Sequence, residues 1–156
     1  MRRAIVVAAG ATLLLAAGCS STPLRPPAGT TTVTYQGVSI SAPAGWGRNQ
    51  LRCGAPTRDT VVVNAGPQPL CKIDPEPRVS YVWLRSCEDC GADPTAAVAR
   101  QSVRVSGHAA RRGEDLLDDG RTRVVLLIAD RNVVVVAVSS DPEVARGIID
   151  SARLSG

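Results

Sequence analysis

The sequence predicts an α+β domain built around a mainly antiparallel sheet, on three observations. Two nearly continuous aliphatic runs, Val124 to Ile128 and Val133 to Val138, are separated only by the turn-like "ADRN". Runs of that kind belong in the middle of a sheet covered on both faces. Around them the chain alternates apolar and polar residues more than it repeats every 3.6 positions, so strands outnumber helices. A closing "DPEVARGIIDSARL" puts Val144, Ile148, Ile149 and Ala152 on one helical face, with Asp141 as cap and Pro142 as first helical residue, and covers one face of the sheet.

The elements follow in chain order. Residues 1–18 read as an export signal, with Arg2 and Arg3 ahead of an uncharged, mostly apolar stretch ending in small residues. That stretch is shorter than the roughly 20 apolar residues that span a bilayer, so removal is expected. "LAAGC", Leu15 to Cys19, looks like the lipobox of bacterial lipoproteins, in which the cysteine receives a diacylglyceryl group and becomes the new N-terminus. The leucine that the family prefers at −3 stands one place earlier here, with Ala16 at that position. Residues 19–32 would then be the lipidated N-terminus and a flexible Pro/Ser/Thr tether, and residues 33–156 a single domain of ordinary size.

Within that domain "TVTYQGVSIS" alternates on either side of Gly37, as a hairpin or one long kinked strand would. "DTVVVN" is a short β-branched strand, and a second runs from about Val79 to Arg85 after a proline-rich approach. In "DPTAAVARQSV" Asp93 suits an N-cap and Pro94 the first position of a short helix. "GHAARRGEDLL", "RTRVVLLIAD" and "NVVVVAVSS" then form a three-stranded meander, with turns at "DDGR" and "ADRN" and a positive φ available at Gly120.

The order "Y-x-G-V-S-I-S-A-P-A-G-W", a valine strand, a central helix, a late aliphatic hairpin and a closing helix resembles small exported actinobacterial lipoproteins with a domain of the Mog1/PsbP type. The likeness spans most of Val33 to Leu154. It implies an antiparallel sheet flanked by helices, acting as a binding or assembly module with no catalytic residues to carry over. The arginine-dominated basic set, with Lys72 the one lysine and phenylalanine absent, agrees with a GC-rich genome.

With Cys19 acylated, Cys53, Cys71, Cys87 and Cys90 remain, an even number that favours disulfides outside the cytoplasm. Three pairings are possible. Cys53 with Cys71 and Cys87 with Cys90 is preferred, because the first pair flanks the "DTVVV" strand and the second pair are neighbours. The longer loop would stabilise the fold by roughly 3 kcal/mol and the short one by far less. "CEDC" could also be a redox couple. Its intervening Glu88 and Asp89 disfavour a thiolate, no aromatic precedes Cys87, and the cap at Asp93 lies beyond the motif, so an inert cross-link is expected. Zinc would need a second close cysteine pair, which is missing.

The remaining constellations have plainer readings. His108, the single histidine, has no nucleophile motif around any serine and reads as a strand-edge residue. Glu114, Asp115, Asp118 and Asp119 lack the ligand ladder of a calcium loop and read as turn chemistry. Arg111, Arg112, Arg121 and Arg123 could touch anionic lipid, or form a solvated face balanced by those acids, and the second is preferred. Tyr35, Trp46, Tyr81 and Trp83 are too few for a stacking surface and are expected in the core. The net charge of +4 falls to +2 without Arg2 and Arg3, which argues against a nucleic-acid partner. The sequence therefore predicts an extracytoplasmic lipoprotein held to the cell membrane by its N-terminal lipid. It would bind an envelope protein or lipid, with no catalytic residues, cofactor or metal. Thiol exchange through Cys87 and Cys90, or carriage of an apolar ligand between sheet and helices, are the alternatives.

Overall fold

The structure is a computed structural model that describes residues 29–66 and 75–155. The export signal, Cys19, the tether as far as residue 28, and Cys71 lie outside the described residues. The first ordered strand, β1 (Thr30–Tyr35), takes in Thr30 to Thr32, which the sequence reading gave to the tether. β1 pairs antiparallel with β2 (Val38–Pro43). Gln36 and Gly37 turn the hairpin with φ of 47° and 76°, the left-handed pair that a two-residue turn needs to match strand twist.

Short strands β3 (Gly47–Arg48), β4 (Leu51–Arg52) and β5 (Ala55–Pro56) lead to β6 (Thr60–Val63) and β7 (Tyr81–Ser86). Then come β8 (Gln101–Val105), β9 (His108–Leu116), β10 (Thr122–Ile128), β11 (Val133–Ser139), helix α1 (Pro142–Asp150) and β12 (Arg153–Leu154). Seven strands form the main sheet in the order β3-β6-β7-β11-β10-β9-β8. The β3–β6 and β6–β7 pairs are parallel and the other four antiparallel. The expected meander is present as β9, β10 and β11, and Gly120 in its first turn has a φ of 82°.

The expected class is corrected: the described residues are mostly β, with one α-helix and a large mixed sheet, not an antiparallel sheet flanked by helices. The difference lies in "DPTAAVARQSV". Asp93 does cap, accepting the Thr95 N–H at 2.9 Å, but only one 3-10 turn follows, Pro94–Ala97. Ala99 is then buried against the sheet, and Gln101 to Val105 pair along β9 as an edge strand. Helix formers lose here to the partial burial of Val103 and Val105 on alternate positions against the core, since propensity is a weak preference beside tertiary packing.

Both faces of the central strands are covered, as the aliphatic runs require, and every residue of β11 is buried. On the inner face, α1 packs Ala145, Ile148 and Ile149 against Val124, Leu126, Val133 and Val135, and the hairpin adds Val38, Ile40 and Ala42. Asp141 caps α1 through the Glu143 N–H at 3.0 Å. On the outer face lies the segment from Cys87 to Arg100, whose Cys87, Cys90, Ala96 and Ala99 pack on Val125, Leu127, Val134 and Val136. β12 closes the fold by pairing Leu154 with Val38 and Arg153 with Ser39.

Candidate binding groove

Along β7 the inward residues Val82 and Leu84 are fully buried, so Tyr81, Trp83 and Arg85 point to the outer face. All four aromatic residues are half-buried, which corrects their assignment to the core: Tyr35 and Trp46 pack at its margin, while Tyr81 and Trp83 face a groove. This groove has a volume of about 870 Å³. Tyr81, Trp83 and Val136 line it, with Thr95 of the outer segment, Leu117 of the β9–β10 turn and Pro75 and Pro77 of the approach to β7. The i, i+2 spacing of Tyr81 and Trp83 within "YVWLR", alternating with Val82 and Leu84, was the available sign that they share an outer face.

Three arginines at this groove are each held by an aspartate. Arg85 makes a two-pronged bond to Asp93, Nη1 to Oδ2 at 2.5 Å and Nη2 to Oδ1 at 2.8 Å. Arg123 binds Asp115 across the β9–β10 pair through Nε at 2.8 Å and a second bond from Nη2. Arg121, almost fully buried, donates Nε to Asp119 at 2.8 Å and Nη1 to the Val79 carbonyl at 2.7 Å. Its guanidinium carbon stands 5.8 Å from the Tyr81 ring centroid, within cation–π range. The basic face is thus paired with acids as expected for Arg121 and Arg123, although Arg121 is interior and not solvated. Arg112 pairs with Asp150 instead, and Glu114 with Arg146.

These contacts set the local charge. Partial burial pushes the Asp93 carboxyl up, but bonds from Arg85 and Thr95 outweigh it and hold the group at about 2. The Arg121 bond lowers Asp119, and burial raises Tyr81 despite the two nearby arginines. Thr95 donates its hydroxyl to Asp93 at 2.5 Å. A carboxylate at about 2 is far too weak a base to activate that hydroxyl near neutral pH. The groove thus sets two half-buried rings beside a polar rim of paired arginines and aspartates.

The other expected site residues lie elsewhere. Cys87 and Cys90 are joined by a disulfide, with both residues on the buried, sheet-facing side of the outer segment. Cys53 is also disulfide-bonded, in the β4–β5 turn. His108 opens β9 at the end away from the groove and places Nδ1 2.7 Å from Asp130. Among the described residues no group of three His, Cys, Asp or Glu side chains is arranged to hold a metal ion, and no helix is long and apolar enough to cross a membrane. No protein-family model matches the chain, and no curated protein or solved structure matches it significantly.

Proposed function

We propose that the protein is a lipid-anchored, extracytoplasmic binding module of the cell envelope that takes its partner in the Tyr81–Trp83 groove and performs no chemistry on it. The observation that carries this reading is the pairing around the groove: Arg85, Arg121 and Arg123 are each tied to an aspartate beside two half-exposed rings. Such a surface offers area and directional polar contacts, the usual composition of a binding site. The lipobox at Leu15 to Cys19 supports the anchor, and the Pro/Ser/Thr stretch behind it supports a spacer.

Thiol exchange has less support. An attacking thiolate must reach a sulfur, and both cysteines are buried where the outer segment meets the sheet. Carriage of an apolar ligand between sheet and helix also has less support, because Ala145, Ile148 and Ile149 fill that space against the sheet.

Two measurements test the reading. Intact-mass analysis of membrane-extracted protein should find a diacylated Cys19 at the N-terminus, and a Cys19→Ala variant should leave the membrane fraction. A photo-reactive residue at Leu117 should give a discrete adduct in intact cells that Trp83→Ala abolishes. Recovery of unprocessed, reduced protein from the cytosol would overturn the anchor, and an adduct indifferent to Trp83 would overturn the groove.

A further inference from the structure

A second groove, of about 330 Å³, lies between β8 and the C-terminal end of α1, remote from the β9–β10 turn that walls the first. Leu126 and Ile149 are among its apolar lining residues, and Arg104, Arg112 and Arg153 supply its cations. Arg112 is the least fully paired of the three. Its Nε is buried and makes no hydrogen bond, while its Nη2 lies 3.3 Å from Asp150. Native proteins leave few buried donors unmade, because an unpaired group loses its water without compensation. Arg104 spends one Nη on the Gly107 carbonyl, and Arg153 one Nη on the Asp150 and Ala152 carbonyls, so each keeps donors to spare.

We infer that this groove binds a phosphomonoester group. The charge balance selects it: three guanidiniums against the single carboxylate of Asp150 leave two positive charges, and a phosphomonoester carries about −1.5 to −2 near neutral pH. A carboxylate ligand would leave one of those charges unmet. Guanidinium forks also match phosphate oxygens in pairs, which a lone ammonium cannot do. The carbonyl end of α1 disfavours an anion, and Arg153, bonded to the Asp150 and Ala152 carbonyls, offsets it. Asp150 competes with the ligand for Arg112. Its side chain is 64% exposed and can turn to solvent. The source of the ester is either the head group of a phosphatidic-acid-like lipid or a soluble phosphorylated compound.

The test titrates inorganic phosphate into the full chain in detergent at constant ionic strength, following the Arg112 Nε–H resonance. A saturable shift is expected, with acetate giving none. An Arg104→Gln/Arg153→Gln variant should bind at least about tenfold more weakly, and Asp150→Asn more tightly. Unchanged amide shifts of Val124 to Ile128 would show that both variants are folded. Competition by mixed micelles of phosphatidylcholine with phosphatidic acid, and not by phosphatidylcholine mixed micelles alone, would identify a lipid source; its absence would identify a soluble ester. Either leaves the site in place. No saturation, an equal response to acetate, or wild-type binding by the double variant would overturn the site. Because the readout is local to Arg112, it does not depend on whether Cys19 is acylated or the Trp83 groove is occupied.

Discussion

Val98 lies on Gly113 so closely that a Cβ added to Gly113 would stand 1.8 Å from the Val98 carbonyl oxygen and 2.4 Å from its carbon. Gly113 sits in mid-strand, opposite Val125, and has no positive φ. Its role is therefore space and not backbone freedom: the missing side chain lets the outer segment lie flat on the sheet. Position 113 decides how the Cys87–Arg100 cover, and with it the Thr95 wall of the groove, is seated.

Gly113→Ala is accordingly expected to destabilise the domain by more than about 2 kcal/mol, because the clash is with backbone that cannot rotate away. Urea denaturation of the purified variant measures this. A loss within about 0.5 kcal/mol, as for an ordinary surface change, would show that the cover moves freely.

Asp93 gives the domain an acid-dependent component. Its carboxyl is held at about 2 in the folded chain against an ordinary value of 3.8. A depressed acid contributes stability that is present above the unfolded value and is lost as the pH falls through the folded one. Asn at position 93 keeps the cap on Thr95 but not the charge. The advantage of wild type over Asp93→Asn should be about 1–2 kcal/mol near neutrality, constant down to roughly pH 5 and shrinking toward pH 2. Urea midpoints across that range read the effect, and an advantage undiminished at the acid end would contradict it.

Arg121→Met should destabilise by about 2–3 kcal/mol, since the Val79 carbonyl loses its donor and Asp119 its partner. Asp119 can still reach water, which places the loss below that of breaking a fully enclosed pair. The Trp83 emission spectrum is expected to shift in the folded variant, because Arg121 helps wall the same groove.

Cys87 and Cys90 should resist an alkylating reagent in native protein treated with mild reductant, and react once denaturant is added. Peptide mass mapping distinguishes the two states. Ready native alkylation would revive the exchange chemistry that "CEDC" first suggests. Replacing both by alanine should lose no more than about 2 kcal/mol of loop entropy, the ring being so short.

What could be read from the sequence follows the strength of local signals. β10 and β11 were legible because an unbroken aliphatic run has one comfortable place in a sheet, and α1 because Asp141, Pro142 and a one-sided apolar face agree. β8 was missed because Ala99, Arg100 and Gln101 continue a plausible helix, and only the edge of β9 decides otherwise. Its available sign was the Val103–Val105 alternation just before Ser106–Gly107, where both φ values are positive. The parallel placement of β6 beside β7 depends on a crossover of low information content, and so does the mixed character of the sheet. Of the groove, Arg121, Arg123, Asp115 and Asp119 were visible within a balanced set, whereas Arg85 was not, and Asp93 was legible only as a cap. Their pairing and the buried position of Arg121 come from strand register, which residue spacing does not reveal.

The contact between Leu154 and Val38 bears on how such a chain matures. The closing strand completes the sheet that the opening hairpin begins, so a polypeptide still short of its last few residues has no finished fold to adopt. Loop closure over that span is slow relative to local helix or turn formation. A chain of this design stays pliable until its final residues are available to pair, and locks only then.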